Sequence, residues 1–164
     1  MKKSVYIVLL PMLFIIFVMT SCSTKSCLQV SPQSNDTASV YLKDSGKAPR
    51  YLRIPSSIDG YKITWIGRFD ECDRLHKVRI PDGAASCGCF RYCHNLEWIS
   101  IPSSVNSFSG DYDFVGCYKL RIIKFRGTLK QWGDLGVRWI KIGSNASEPI
   151  TVKCTDGSTT LHVY

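Results

Sequence analysis

The sequence predicts a repeat solenoid: short coils stacked into one core, with a parallel β-sheet on one side and irregular or 3-10 arcs on the other, mostly β and coil. Three observations carry that prediction. The phrase Phe-x-x-Cys-x-x-Leu occurs three times, as Phe69-Cys72-Leu75, Phe90-Cys93-Leu96 and Phe114-Cys117-Leu120, with steps of 21 and then 24 residues. Each copy runs into an apolar alternation: Val78-x-Ile80-Pro81, Ile99-x-Ile101-Pro102 and Ile123-x-Phe125. Between phrases a second apolar position recurs at Ile66, Cys87 and Phe108, followed by Gly67, Gly88 and Ser109. A period in the low twenties marks units that cannot bury a core alone and must stack.

The alternation is a strand signal, one face apolar and the other polar. Stacked at about 4.8 Å, such strands form a parallel sheet. Pro81 and Pro102 stand just past the strands, where no ladder amide is needed. The first unit is longer by Asp59-Gly60-Tyr61-Lys62-Ile63, a turn-rich insertion in the arc. The third is longer by Asp111-Tyr112-Asp113, whose carboxylates read as solvated turn acids.

In chain order, residues 1–21 read as a targeting segment, with Lys2-Lys3 ahead of an apolar run from Val5 to Met19. Thr20-Ser21 then precede Cys22, which reads as a lipidated N-terminus after cleavage; plain secretion is the alternative. Residues 22–48 read as the lipidated Cys, a flexible polar tether and an N-terminal cap, with Val40-Tyr41-Leu42 as a first edge strand. Residues 49–126 hold the repeats, beginning with the strand at Tyr51-Leu52-Arg53-Ile54. Residues 127–157 read as a closing cap with a short helical turn and a last strand at Ile150-Thr151-Val152. Residues 158–164 read as a frayed tail.

The run Leu-x-x-Val-x-Ile-Pro, then Ile-Gly, then Phe-x-x-Cys-x-x-Leu, resembles the BspA-like (treponemal-type) leucine-rich repeats of bacterial surface proteins, over roughly residues 49–157. The resemblance implies a short leucine-rich-repeat array whose sheet forms the concave side. It also implies a protein of the bacterial cell envelope, at the outer membrane or cell surface, that engages macromolecular partners. Those would be proteins, such as host matrix proteins or other surface proteins, in adhesion-type contacts.

The chain has 164 residues, with 21 Lys+Arg against 13 Asp+Glu, a formal charge of +8. That favours acidic partners in a general way. No Lys/Arg run approaches a nucleic-acid arm, so no nucleic-acid partner is expected. No phosphate loop follows a strand and no nucleophile sits by motif near a His and an acid, so the chain does not read as an enzyme and calls for no cofactor.

Lipidation of Cys22 leaves seven of eight cysteines. Cys72, Cys93 and Cys117 share one repeat position, so their side chains run parallel and read as a buried thiol ladder, not disulfides. The cluster Cys87, Cys89, Cys93 and His94 has the softness for zinc or copper(I) and is the alternative, metal-binding reading. Against it, Cys87 should face the core and Cys93 belongs to the ladder, so the four groups leave the coil on different faces. Outward from the strands point Arg53, Lys77, Arg79, Trp98, Ser100, Ile122 and Lys124, the expected ligand-binding residues of the concave face.

Overall fold

Every second residue of the repeat strands is apolar, and that alternation builds the sheet. The computed structural model describes residues 24–108, 112–137, 139–142 and 148–164. The expected signal segment, Cys22, Ser109 and Asp111 lie outside the described residues. The chain is a β-solenoid of about four turns with almost no helix, the architecture expected from the sequence.

Strands are numbered in chain order. β1 (Leu28–Pro32) and β2 (Thr37–Leu42) form an antiparallel hairpin. β3 (Tyr51–Arg53), β6 (Lys77–Arg79), β7 (Trp98–Ile101) and β8 (Ile122–Phe125) are the repeat strands. β4 (Ser57–Ile58) and β5 (Tyr61–Ile66) enclose the Asp59-Gly60 turn. After α1 (Leu129–Asp134) come β9 (Trp139–Ile140), β10 (Ile150–Lys153) and β11 (Ser158–Val163). The principal sheet runs β3-β6-β7-β8-β10-β11-β9, parallel from β3 to β10. A second sheet, β1-β2-β5-β4, covers the first coil.

Register aligns equivalent residues coil by coil. Leu52, Val78, Ile99, Ile123 and Val152 are cross-strand partners, and all are buried. The phenylalanines stack into a ladder: Phe69 on Phe90 at 5.4 Å between ring centroids, and Phe90 on Phe114 at 6.0 Å. Offset ring stacking of this kind adds to the area buried.

In the arcs, backbone groups that no strand pairs must find partners elsewhere. They find them in the neighbouring coil. Phe69 N–H donates to the Cys89 carbonyl and Phe90 N–H to the Asp113 carbonyl, both at 2.7 Å. The thiols close the other half: Cys93 Sγ donates to the Phe69 carbonyl at 3.0 Å and Cys117 Sγ to the Phe90 carbonyl at 2.9 Å. Cys72 Sγ points to the Ser45 carbonyl at 3.7 Å. Residues two after each Phe sit in the left-handed region: Glu71 at φ 57°, Tyr92 at φ 58° and Gly116 at φ 82°. Only the third copy uses the residue that adopts this conformation without strain.

The structure corrects three expectations, two of them at the ends of the array. The polar stretch from Ser23 to Ala48 is no tether over its described part. Residues 28–42 form the β1–β2 hairpin, which turns on Asn35 (φ 60°) and Asp36 (φ 54°), residue types that tolerate the left-handed region. Ala38 and Val40 are fully buried because β2 pairs in parallel with β5 and caps the stack. The expected frayed tail is β11, antiparallel to β10, with Leu161 buried opposite Ile150. Asp113 is not solvated but 2% exposed. The expected helical turn is α1, opened by a capping box in which Thr128 Oγ1 accepts from Gln131 N–H.

Phe90 has ring neighbours on both sides. Phe90→Ala is expected to destabilise the fold by about 3–5 kcal/mol in denaturant titration, whereas a loss under about 1 kcal/mol would contradict the ladder. At the strained position, Glu71→Gly is expected to raise stability by about 0.5 kcal/mol, relief of backbone strain outweighing lost chain entropy. Gly116→Ala should do the reverse by at least 1 kcal/mol, since a Cβ there meets the Tyr92 Cα at 2.9 Å.

Candidate binding face

The alternation that buries one side of each strand sends the other side outward in two straight rows. Cross-strand register sets the first row as Tyr51, Lys77, Trp98, Ile122 and Thr151. It sets the second as Arg53, Arg79, Ser100, Lys124 and Lys153.

The first row is aromatic and apolar around one lysine. Tyr51 is 50% exposed, Lys77 is exposed, and Trp98 and Ile122 are half-buried. Tyr51, Lys77 and Trp98 line an open hollow of about 470 Å³. The second row is basic. Arg53, Lys124 and Lys153 are exposed and Arg79 is half-buried. Among the described residues none of these four cations has an ion-pair partner, although the chain's acids pair elsewhere: Glu97 with His76, Asp82 with Arg126 and Glu148 with Arg121.

Ser100 requires a correction. It points outward as expected but is fully buried, because Arg126 lies across it. The Arg126 guanidinium donates to Ser100 Oγ at 2.6 Å, to the Ile80 carbonyl at 2.7 Å and to Asp82 Oδ1 at 2.9 Å. The gap in the basic row is thus covered by a guanidinium from the end of β8 that is already paired with Asp82. Sequence reasoning missed Arg126, Tyr51 and Lys153. Alternation along β3 and β10 identifies the latter two; nothing local identifies Arg126.

Beside the face runs a second ladder at the strand entrances. His76 Nδ1 lies 3.1 Å from Glu97 Oε1 and 3.5 Å from an Arg50 guanidinium nitrogen. The hydrogen bond from His76 holds the Glu97 carboxyl below its ordinary range. On the arc, His94 Nδ1 meets Asp73 Oδ1 at 2.7 Å while its ring stacks on Tyr118 at 5.6 Å.

The cysteine cluster does not assemble. Cys87 is fully buried, Cys93 is committed to the Phe69 carbonyl, and His94 is exposed and engaged with Asp73. Among the described residues no group of three or more His, Cys, Asp or Glu side chains is arranged to hold a metal ion. The alternative of Cys87, Cys89, Cys93 and His94 as a metal site is therefore set aside, for the reason that adjacent residues of a coil leave it on different faces. Burial pushes the Cys93 thiol up to about 12 and those of Cys87 and Cys117 well above the ordinary thiol range, so all three stay protonated at neutral pH.

Comparison with known proteins agrees with this geometry. A model of the BspA type leucine rich repeat region matches residues 52–136 in six copies, a span that contains all three phrases. Among solved structures, a leucine-rich repeat protein from Bacteroides ovatus superposes with a TM-score of 0.50 at 23% sequence identity. The match covers 77% of this chain and 36% of that one, so the chain spans about a third of the length of that protein. A search of curated proteins finds no match.

The thiol ladder has a direct readout. In the native protein at pH 8, Cys72, Cys87, Cys93 and Cys117 are expected to resist alkylation and to label only in denaturant. A buried thiol whose folded pKa is raised stabilises the fold below its unfolded value and ceases to as pH rises through the folded one. Stability is therefore expected to fall between pH 9 and about 12, which denaturant titration across that window checks.

Proposed function

Because the chain belongs to the BspA-type leucine-rich-repeat family, we propose that it is a lipid-anchored binding module of the bacterial cell envelope. It makes adhesion-type protein contacts through the outward, concave face of its sheet. Leucine-rich-repeat domains commonly mediate protein interactions, and BspA-type members are typically bacterial surface proteins. The observation that carries the reading is the pairing of an aromatic row with an unneutralised basic row on that one face.

Contact, not chemistry, suits this surface. Trp, Tyr and Arg are the side chains that most often anchor protein interfaces. The backbone that carries the rows is fixed by the sheet, so only side-chain freedom is lost on binding. Long cations beside the aromatic hollow steer an acidic partner toward it. The thiols, held neutral by burial, are poor nucleophiles. Anchorage is supported by the apolar run ending in Thr20-Ser21-Cys22, because an acylated Cys22 ties an otherwise water-soluble domain to a bilayer.

The test is one adhesion assay on cells expressing the full-length protein, over surfaces coated with extracellular-matrix proteins. Lys77→Glu is expected to leave the protein in the membrane fraction and to lower adhesion at least tenfold. Cys22→Ser is expected to release it from that fraction. Unchanged adhesion of the Lys77→Glu cells would overturn the assignment of the face. Membrane retention of the Cys22→Ser protein would overturn the lipid anchor.

A further inference from the structure

We infer that the outward sheet face takes an extended peptide segment of the partner protein in which acidic residues alternate with aromatic or aliphatic ones. The inference rests on the reading of that face as the binding surface and names what it binds.

The basic row comes first. Arg53 opposes Arg79 and Lys124 opposes Lys153 directly across neighbouring strands. Like charges at directly opposed positions weaken a sheet. The chain holds acids that would relieve them, yet spends those acids on His76, Arg121 and Arg126 at the margins of the face. Over Ser100 lies Arg126, whose charge Asp82 already meets. The four cations left without counter-charges among the described residues, two on either side of it, are complementary to a linear anion.

Dimensions fix what kind of anion. The row crosses five strands, about 19 Å at about 4.8 Å per step, which is the length of about six extended residues at about 3.3 Å each. The aromatic row runs parallel to it, two residues along each strand, about 6.6 Å away. An extended chain laid between the rows sends successive side chains to opposite sides. Its acids then meet Arg53, Arg79 and Lys124 while its apolar side chains meet Tyr51, Trp98 and Ile122. The hollow lined by Tyr51, Lys77 and Trp98 receives one aromatic side chain. A polyanion charged along its whole length would leave this apolar row unused, so the two rows together favour an alternating peptide over an acidic glycan.

The probe is a fluorescein-labelled peptide of four Glu-Tyr repeats, titrated by anisotropy into the purified full-length protein. It is expected to bind at least tenfold more tightly than four Gln-Tyr repeats and than a block peptide of four Glu followed by four Tyr. Binding should weaken as salt rises from 50 to 500 mM. Arg79→Glu combined with Lys124→Glu should reduce affinity at least thirtyfold. Lys124→Gln alone, at an exposed position, should reduce it severalfold with an unchanged circular dichroism spectrum, which keeps the test valid if the double variant unfolds. Trp98→Ala should weaken the alternating peptide about tenfold and leave an all-Glu octapeptide unaffected. Equal binding of the Gln-Tyr or block peptide, or tighter binding of hyaluronan, would overturn the inference. If matrix adhesion is lost in Lys77→Glu cells while the Glu-Tyr peptide shows no preference, the face stands and the alternating peptide falls. If adhesion is unaffected as well, both fall.

Discussion

Each coil of this solenoid completes the hydrogen bonding of the coil before it, and the rest of the structure follows from that dependence. In the sheet the handover is an ordinary parallel ladder. In the arc the backbone pairing is sparser, β2 with β5 and then the isolated parallel bridges Arg68–Cys89 and Ser86–Ser107, and the Phe-x-x-Cys turn adds a side-chain donor to it. Cys93 Sγ reaches the Phe69 carbonyl and Cys117 Sγ the Phe90 carbonyl, while amides such as Phe90 N–H reach forward to the next coil. Cysteine suits the position because it is small and apolar enough to sit at zero exposure yet still carries a donor. A step between coils must therefore keep Phe over Phe and Cys over carbonyl. That is why length variation is confined to Asp59–Ile63 and the stretch before Phe114. A stack whose members satisfy one another also needs both ends covered. The β1–β2 hairpin covers one, and the segments from α1 onward extend and close the other.

What the sequence made legible is what repeats. The period named the architecture, and the phrase named its core, because each inward residue is specified independently in three coils. The ends were harder because each occurs once. Ser34-Asn35-Asp36 is polar and reads as a linker. Only the pairing of Leu28 with Leu42 and of Val30 with Val40 reveals it as the turn of a hairpin. Ser158 to Val163 follows Gly157 and is rich in threonine, so it reads as a loose end. Its strand signal is the single alternation of Leu161 and Val163, and its stability comes from Ile150 across the sheet. The cysteine cluster shows the opposite error. Cys87, Cys89, Cys93 and His94 are close in sequence, but closeness in a coil that changes direction every few residues does not bring side chains together. Repeat position, which sets Cys87 beside Ile66 and Cys93 beside Cys72, was the better guide.

The candidate face divides along the same line. Arg53, Lys77, Arg79, Trp98, Ile122 and Lys124 follow from alternation, and Tyr51 and Lys153 follow from the same rule carried to the edge strands. Ser100 could not be placed from its own strand. Its burial depends on Arg126, which lies 26 residues away and is itself fixed by the Ile80 carbonyl and Asp82, 46 and 44 residues away. Such a contact has no periodic signature, since Arg126 has no counterpart in the other coils.

The two sides of the strands are thus governed by different constraints. Inward, replacing one stacked aromatic costs several kcal/mol, so the stack leaves little freedom. Outward, a cross-strand pair of like charges costs only about 0.2–1 kcal/mol. A fold held by the inward stacks can carry Arg53 beside Arg79 and Lys124 beside Lys153 with a modest loss of stability. Residues that weaken the fold slightly and touch nothing inside it are the ones free to be chosen for a partner. In a solenoid the cheapest place to hold such residues in a fixed, regularly spaced line is the face whose other side is already nailed down by the core. The basic row stands on that face, and the rigidity that the thiol and phenylalanine ladders give the coils is what keeps its spacing.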